Sequence, residues 1–301
     1  MTKMSAGRRA KKVSATRRRG ATTQVTGTRP SDGNKLSISN VLDQMRSPGL
    51  GFDRVEHIAG SSYKESSTVI VVPTRGKYKM LDPNDPEKKR EVEVEGLIDK
   101  RVVAAWQALI NPMNQKRAML FASGHEVGRA YDAMIQQILD QPQLRDWKYI
   151  LTLEDDNIPP PDAHLKLLES MDFGNYDAVS ALYFTKGEGL NMPMAYGDPA
   201  EYARTGALDF RPRDVREALA AGQIMPVNGI AMGCALWKMS LFREIKPPWY
   251  VTLNDWVPGK GIVGMTQDLS FCERAVRAGK RFAVDMRVKV GHLDVSSGLT
   301  Y

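Results

Sequence analysis

The chain has 301 residues, 42% of them hydrophobic, and a formal net charge of +7. This length suits one large α/β domain or two small ones, and no apolar run approaches the ~18 residues of a membrane span. The N-terminus is basic but lacks the apolar block of a secretory signal. Two cysteines are too few for a disulfide framework and fit a reducing compartment, so we expect a cytoplasmic location.

The positive charge is concentrated at the N-terminus. Residues 1–30 contain nine Lys or Arg residues and no acid, whereas the rest of the chain is close to neutral. Residues 1–66 are rich in small and polar side chains, which predicts a largely disordered tail and linker before a folded domain at 67–301. A basic arm of this kind is either a solvated or localisation segment, or a nonspecific contact to DNA.

Strand and helix patterns alternate along the predicted domain. Short apolar runs predict buried strands, and apolar residues at helical spacing predict helices between them. The predicted strands are Thr68–Val72, Arg117–Ala122, Tyr149–Leu153, Tyr176–Phe184, Val227–Leu236 and Phe282–Val290, and the predicted helices are Leu97–Ile110, Val127–Leu139, Ala163–Met171, Arg213–Ala221 and one that begins after Thr266. The alternation predicts an α/β fold with a mostly parallel sheet flanked by helices. A charged segment at 77–96 and an aromatic loop at 246–265 interrupt it.

Three consecutive acids follow the third predicted strand. Tyr149–Leu153 runs directly into Glu154, Asp155 and Asp156, and prolines follow shortly afterwards. Ligands of open α/β sheets bind beyond the carboxyl ends of the strands. Carboxylates crowded at such a position repel one another and are costly to desolvate, which favours a bound cation. We therefore predict a metal and phosphate site at this strand end.

Polar residues elsewhere in the chain extend this pattern. Thr74 and Arg75 follow the first strand, Asp268 lies in the first turn of the last helix, and His292 follows the last strand. These residues form a pattern together with Leu-Glu-Asp-Asp-Asn-Ile-Pro-Pro and with Gln-Asp-Leu-Ser-Phe-Cys-Glu-Arg at 267–274. The pattern resembles that of the GT-A superfamily of nucleotide-sugar glycosyltransferases, most closely its family-2-type members. The resemblance covers most of the predicted domain. It implies a GT-A-like (Rossmann-like) fold and the transfer of a sugar from a nucleotide diphosphate to a hydroxyl acceptor.

The resemblance also implies roles for the matching residues. Asp156 stands where the family has its metal ligand, and His292 matches the late metal ligand or the residue that closes on the diphosphate. Glu154 stands where an acid contacts the ribose or a metal-bound water, in place of the usual Asp. Asp268 matches the general base, which implies inversion at the anomeric carbon. Contacts to the nucleotide are implied for Pro73, Thr74, Arg75 and Arg129.

Further candidates come from position alone. Asp155 and Lys186 lie in segments after strands and are candidates to reach the diphosphate. The aromatic residues of the 246–265 loop either belong to the core or form a stacking wall for the acceptor. These residues are Trp249, Tyr250 and Trp256.

The chemistry of glycosyl transfer explains these residue types. The departing nucleoside diphosphate develops charge that needs a cation, and carboxylates with diphosphate oxygens suit Mg²⁺ or Mn²⁺. An imidazole ligand favours Mn²⁺. The acceptor hydroxyl must lose a proton as it attacks, and a carboxylate such as Asp268 can accept that proton. We therefore expect Mn²⁺ or Mg²⁺ as the cofactor and a nucleotide sugar as the donor.

The acceptor is a separate question. The basic tail favours DNA, and our hypothesis is a hydroxymethylated pyrimidine, as in phage-type DNA-modifying glycosyltransferases, which would act in the host-cell cytoplasm. A protein or small-molecule acceptor stays open, as do a metal-dependent nuclease and a non-catalytic DNA-binding protein. A nucleotidyltransferase is disfavoured because Pro73-Thr74-Arg75-Gly76 is not a glycine-rich phosphate loop, and no Gly-x-Gly-x-x-Gly motif indicates a dehydrogenase.

Overall fold

The computed structural model describes residues 67–301 except 75, 82–83, 88, 96–97, 114, 187–190, 221–222, 260 and 296. The predicted tail at 1–66 and the predicted nucleotide contact Arg75 lie outside these residues, so both stay predictions. Within the described part, none of the helices combines the length and the apolar character that a membrane span requires.

Strands and helices alternate through most of the described chain. The strands are β1 Thr68–Thr74, β2 Lys77–Leu81, β3 Glu91–Glu95, β4 Arg117–Ser123, β5 Tyr149–Leu153, β6 Asn157–Ile158, β7 Ala178–Leu182, β8 Ala195–Tyr196, β9 Ile224–Val227, β10 Gly229–Ile230, β11 Cys234–Lys238, β12 Leu253–Val257, β13 Gly261–Met265, β14 Phe282–Lys289 and β15 Gly291–His292. The helices are α1 Lys100–Ala108, α2 Val127–Asp140, α3 Ala163–Gly174, α4 Pro199–Thr205, α5 Val215–Ala220, α6 Leu241–Glu244 and α7 Gln267–Arg277.

A seven-stranded sheet forms the centre of the fold, in the order β4-β1-β5-β11-β7-β14-β9. Strands β4, β1 and β5 are parallel neighbours, and β7 is parallel to β14. Strand β11 lies antiparallel between β5 and β7, and β9 is antiparallel to β14 at the edge. The predicted α/β class is confirmed, but the sheet is mixed rather than mostly parallel in its pairing.

The mixed pairing arises in the segment that the sequence predicts as a single strand at Val227–Leu236. In the structure this segment contains the end of β9, the short β10 and the start of β11. The residues of β11 are buried except for the half-buried Lys238. A strand buried on both faces has a continuous apolar run in either direction, so the sequence does not reveal that β11 is antiparallel.

Helices cover both faces of the sheet. Ile70 and Val72 of β1 belong to a core cluster with Trp106 of α1 and Leu167 of α3. Successive strand residues point to opposite faces, so the alternate residues of β1 face the other side, where α2 packs on β1 and β4. The carboxyl ends of the parallel strands β4, β1 and β5 lie together at one edge of the sheet.

The two segments that interrupt the predicted alternation both contain hairpins. Strand β2 pairs with β3 within 77–96, and β12 pairs with β13 within 246–265. Helix α7 follows directly, with Thr266 as its N-cap residue as predicted. Gly279 follows the helix with a φ of +80°, a left-handed conformation that suits glycine.

Candidate active site

A cleft of about 190 Å³ opens where β1, β4 and β5 end. The three strands are parallel, so their carboxyl ends share this edge. The cleft is lined by Pro73, Thr74, His125, Val127, Glu154, Asp155 and Asp156. The Thr74 hydroxyl lies at hydrogen-bonding distance, 2.6 Å, from Ser123 Oγ, which joins the ends of β1 and β4. The structure thus brings two predicted nucleotide contacts together with all three acids.

Asp156 is the most enclosed of the three acids, with 7% of its surface exposed. Its Oδ1 accepts a 3.0 Å hydrogen bond from Asn157 Nδ2, and its Oδ2 forms an ion pair with Lys186 Nζ. The Nε2 atom of His292 lies 3.7 Å from Asp156 Oδ1. Two residues predicted from distant parts of the sequence therefore lie beside the predicted metal ligand.

The backbone fixes the orientation of the His292 ring. Its Nδ1 lies 2.7 Å from the carbonyl oxygen of Phe184, which can only accept, so Nδ1 carries the proton. Burial lowers the pKa of His292, an effect opposed by the Phe184 carbonyl and by Asp156, so the neutral ring is favoured. The Nε2 lone pair then faces a carboxylate oxygen, which is another acceptor. A metal-ligating histidine has this arrangement, with its second nitrogen donating to a carbonyl.

Asp156 and His292 fit a divalent cation as two members of a ligand set. Among the described residues, no three His, Cys, Asp or Glu side chains form a group that could hold an ion by themselves. Divalent cations such as Mg²⁺ are often held by one or two protein ligands together with oxygens of substrate phosphates. The residues present therefore fit a cation whose remaining coordination positions are filled by waters or by the oxygens of a diphosphate.

Glu154 lines the cleft, whereas Asp268 is not among the described residues that line it. Burial, together with the nearby carboxylates of Asp156, Asp268 and Asp155, raises the pKa of Glu154 to about 8. The backbone N–H of Glu154 donates to the carbonyl of Gly233 at 3.1 Å, which fixes the residue at the end of β5. Without a bound cation, Glu154 is therefore mostly protonated at pH 7 and can donate a hydrogen bond to a ligand.

Asp268 lies in the first turn of α7 and is 8% exposed. Its Oδ1 accepts hydrogen bonds from the hydroxyl of Thr266 and, at 2.9 Å, from the backbone N–H of Leu269. Burial raises the pKa of Asp268, and these two hydrogen bonds oppose that shift. A carboxylate with a raised pKa is a better proton acceptor. The effect of Asp268 on the pKa of Glu154 indicates that the two groups are in electrostatic range of one another.

Two charged side chains fix the segment that precedes β12. Asp132 Oδ1 accepts hydrogen bonds from the backbone N–H groups of Trp249 and Tyr250, at 3.1 and 2.9 Å. Arg274 of α7 donates to three carbonyl oxygens of the same segment. Arg274 therefore joins this segment to the helix that carries Asp268. Arg274 is also the last residue of the 267–274 pattern, and its role in the structure is to position this segment.

Trp249 and Tyr250 are core residues, which is the first of the two alternatives that the sequence leaves open, and they do not form an acceptor wall. They are 2% and 3% exposed and pack against Phe242 and Phe271. An aromatic ring enclosed in this way offers no free face on which an acceptor could stack. The backbone of Trp256 lies in β12, and its side chain lies outside the described part of the structure, so its predicted role stays a prediction.

Arg129 lies on the first turn of α2 with an exposed side chain. Its backbone N–H donates to the side chain of the helix N-cap residue, Glu126, at 3.0 Å. It is not among the described residues that line the cleft. The expectation that Arg129 faces a nucleotide stays a prediction.

Two residues at this edge of the sheet were not predicted from the sequence. His125 follows β4 and lines the cleft. Tyr183 follows β7, accepts a 2.7 Å hydrogen bond from the N–H of Gly233, and meets the His292 ring edge-on with centroids 5.4 Å apart. Both residues lie just beyond the end of a sheet strand, and that position is the signal that could have identified them.

Comparisons with known proteins give no family for the chain. No protein-family model matches it, and no curated protein matches it. Solved structures do match, among them A197 from STIV, with 15% sequence identity and a TM-score of 0.45 over 76% of this chain and 86% of that one. A likeness this distant carries no argument about function, which must come from the geometry of the site.

Proposed function

We propose that the chain is a metal-dependent glycosyltransferase that moves a sugar from a nucleoside-diphosphate donor to a hydroxyl acceptor. The main support is that Asp156 meets both Lys186 and His292 at the end of a central strand. A sheltered carboxylate beside an ammonium group and a neutral imidazole suits a cation and a phosphate group. Such a combination is costly to enclose for the sake of packing alone.

The leaving-group side of the proposed site consists of Asp156, His292 and Lys186. Asp156 and His292 would hold the cation, whose positive charge stabilises the departing diphosphate. Lys186, which pairs with the same carboxylate in the structure, would supply a second positive charge for the diphosphate. Pro73 and Thr74 would position the nucleotide, because they line the cleft that contains the acids. Glu154, which lines the same cleft, would contact the ribose or a water in the cleft.

The acceptor side of the proposed site is assigned to Asp268. Its carboxylate would accept the proton of the acceptor hydroxyl as that oxygen attacks the sugar carbon. A base on the acceptor side implies a single displacement, so the configuration at the anomeric carbon should invert. The raised pKa of Asp268 makes it a stronger base than an exposed aspartate.

We propose DNA that contains a hydroxymethylated pyrimidine as the acceptor. This part of the proposal rests on the basic residues within 1–30. Such a stretch neutralises phosphates without sequence preference, so DNA binding should weaken as salt is added. The target base would have to leave the helical stack to reach the cleft. A protein or small-molecule acceptor is the alternative for the same donor chemistry.

The proposal can be tested by incubating the full chain with Mn²⁺, hydroxymethylated DNA and nucleotide sugars that carry a label on the sugar. We expect label in the DNA, no transfer after chelation of the metal, and a loss of about 10²–10⁴-fold in rate for Asp268→Asn. Label in a protein or a small molecule instead of DNA would reject the acceptor and retain the reaction. A failure to consume any donor, with every acceptor offered and Mn²⁺ present, would reject the function.

A further inference from the structure

Lys186 is paired with Asp156 where neither side chain is freely solvated. The two side chains are 25% and 10% exposed, and Nζ of the lysine contacts Oδ2 of the carboxylate. The other oxygen, Oδ1, accepts from Asn157 at 3.0 Å and lies 3.7 Å from Nε2 of His292. The carboxylate that best fits a cation therefore already carries a cationic partner from its own chain.

We infer that Lys186 and a divalent cation exchange on Asp156, and that the exchange releases Lys186 to bind the diphosphate of the donor. A cation held by Oδ1 and by Nε2 of His292 would share the carboxylate with the ammonium group on Oδ2. Two positive charges on one enclosed carboxylate repel each other strongly, so the cation would displace the ammonium group. The inference rests on the proposed function for the identity of the anion, but the exchange itself requires only a divalent cation.

The released ammonium group has a partner as soon as a diphosphate is present. Lysine is a compact charge on a flexible stem, so Nζ can leave the carboxylate and contact a phosphate oxygen while the backbone stays in place. Lys186 would then pair with Asp156 in the empty site and with the diphosphate in the filled one. Cation and diphosphate must therefore bind cooperatively, because each one favours the arrangement that the other requires.

The first test measures the affinity for Mn²⁺ alone, by electron paramagnetic resonance of the free ion, on the full chain. Lys186→Met removes the competing charge, so it should bind Mn²⁺ about tenfold more tightly than the wild type. Asp156→Asn should lose this binding. The matched control is Lys166→Met, which removes a partly exposed lysine that pairs with Asp162 at 2.7 Å; it should bind Mn²⁺ as the wild type does.

The second test measures the chemical reactivity of the Lys186 amine. If Lys186 acted only through its charge and stayed on Asp156, Mn²⁺ would not change this reactivity. An amine-reactive label with mass-spectrometric readout should modify Lys186 several-fold faster when Mn²⁺ is present. Adding inorganic pyrophosphate together with Mn²⁺ should slow the modification again. The modification of Lys166 should not respond to either addition.

The exchange would be overturned if Mn²⁺ bound through Asp156 without changing the reactivity of Lys186. It would also be overturned if Lys186→Met bound Mn²⁺ no more tightly than Lys166→Met, or if Mn²⁺ binding did not depend on Asp156. An intact exchange in a protein that transfers no sugar would reject the proposed function and leave the exchange standing. The two failures can therefore be told apart.

Discussion

His164 of α3 makes the stability of the fold depend on pH. The residue is 1% exposed, and its Nε2 lies 2.9 Å from the Oγ1 atom of Thr68. Its Nδ1 is buried without a hydrogen-bond partner in the described structure. Burial, and to a smaller extent Arg117, lowers the pKa of His164 from 6.5 to about 4. The folded protein therefore keeps this ring neutral at any pH near neutrality.

The unfolded chain binds a proton at His164 more readily, because its pKa there is the ordinary 6.5. The contribution of neutral His164 to the stability of the fold is therefore fully present above pH 6.5, and it is lost as the pH falls toward about 4. At about 1.4 kcal/mol for each pH unit between the two pKa values, the full loss is about 3 kcal/mol. About 2 kcal/mol of it should be lost between pH 7 and pH 5.

Urea unfolding at pH 7 and at pH 5 measures this loss. His164→Gln keeps a polar group near Thr68 but cannot titrate, so its free energy of unfolding should fall about 2 kcal/mol less than that of the wild type. Other titrating groups are common to both proteins and cancel in the comparison. His125→Gln, which removes an exposed histidine and leaves His164 in place, should still show the loss that His164 causes. An equal loss of stability in the wild type and in His164→Gln would refute the reasoning.

Two further predictions concern the packing around the site. A Cβ at Gly233 would lie 2.6 Å from the Tyr183 hydroxyl, so Gly233→Ala should lower the free energy of unfolding by about 1–3 kcal/mol. The cost should shrink in a Tyr183→Leu background, which also removes the Cζ atom that lies 2.7 Å from that Cβ, and additive costs in the double variant would contradict the clash. Arg274→Lys cannot reproduce the fork of hydrogen bonds to the loop carbonyls and should cost about 1–2 kcal/mol in urea unfolding. Arg277→Lys, which alters only an exposed pair with its neighbour along the helix, should cost almost nothing, and equal costs would contradict the role given to Arg274.

The strands and helices of the domain follow from local pattern because burial dictates their composition. Tyr149–Leu153 was predicted as a strand with its observed bounds, and Thr266 was predicted as a helix N-cap. Both depend on nearby residues only. The direction of Cys234–Lys238 depends instead on the strands that lie beside it, which no local pattern encodes. The α/β class was therefore predicted correctly, but the prediction of a mostly parallel sheet was wrong.

Some residues of the candidate site could also be predicted from the sequence, and others could not. The acids at 154–156 stand out in the sequence because they end an apolar strand, and Asp268 and His292 stand out by their positions in a pattern. The aromatic residues Trp249 and Tyr250 could not be assigned, since the same residue types fill a core and line a binding surface. The pairing of Lys186 with Asp156 could not be predicted either, because it joins segments whose distance the fold alone determines.

We propose above all that Asp156 stabilises a departing nucleoside diphosphate through a cation. The most direct test of this proposal is the rate at which nucleoside diphosphate is released from labelled nucleotide sugar, as a function of Mn²⁺, for Asp156→Asn and for Asp172→Asn. Asp172 is an exposed acid away from the cleft. We expect a loss of at least about 10²-fold in this rate for Asp156→Asn at every Mn²⁺ concentration, and a wild-type rate for Asp172→Asn. A wild-type rate and metal dependence in Asp156→Asn would contradict the proposal.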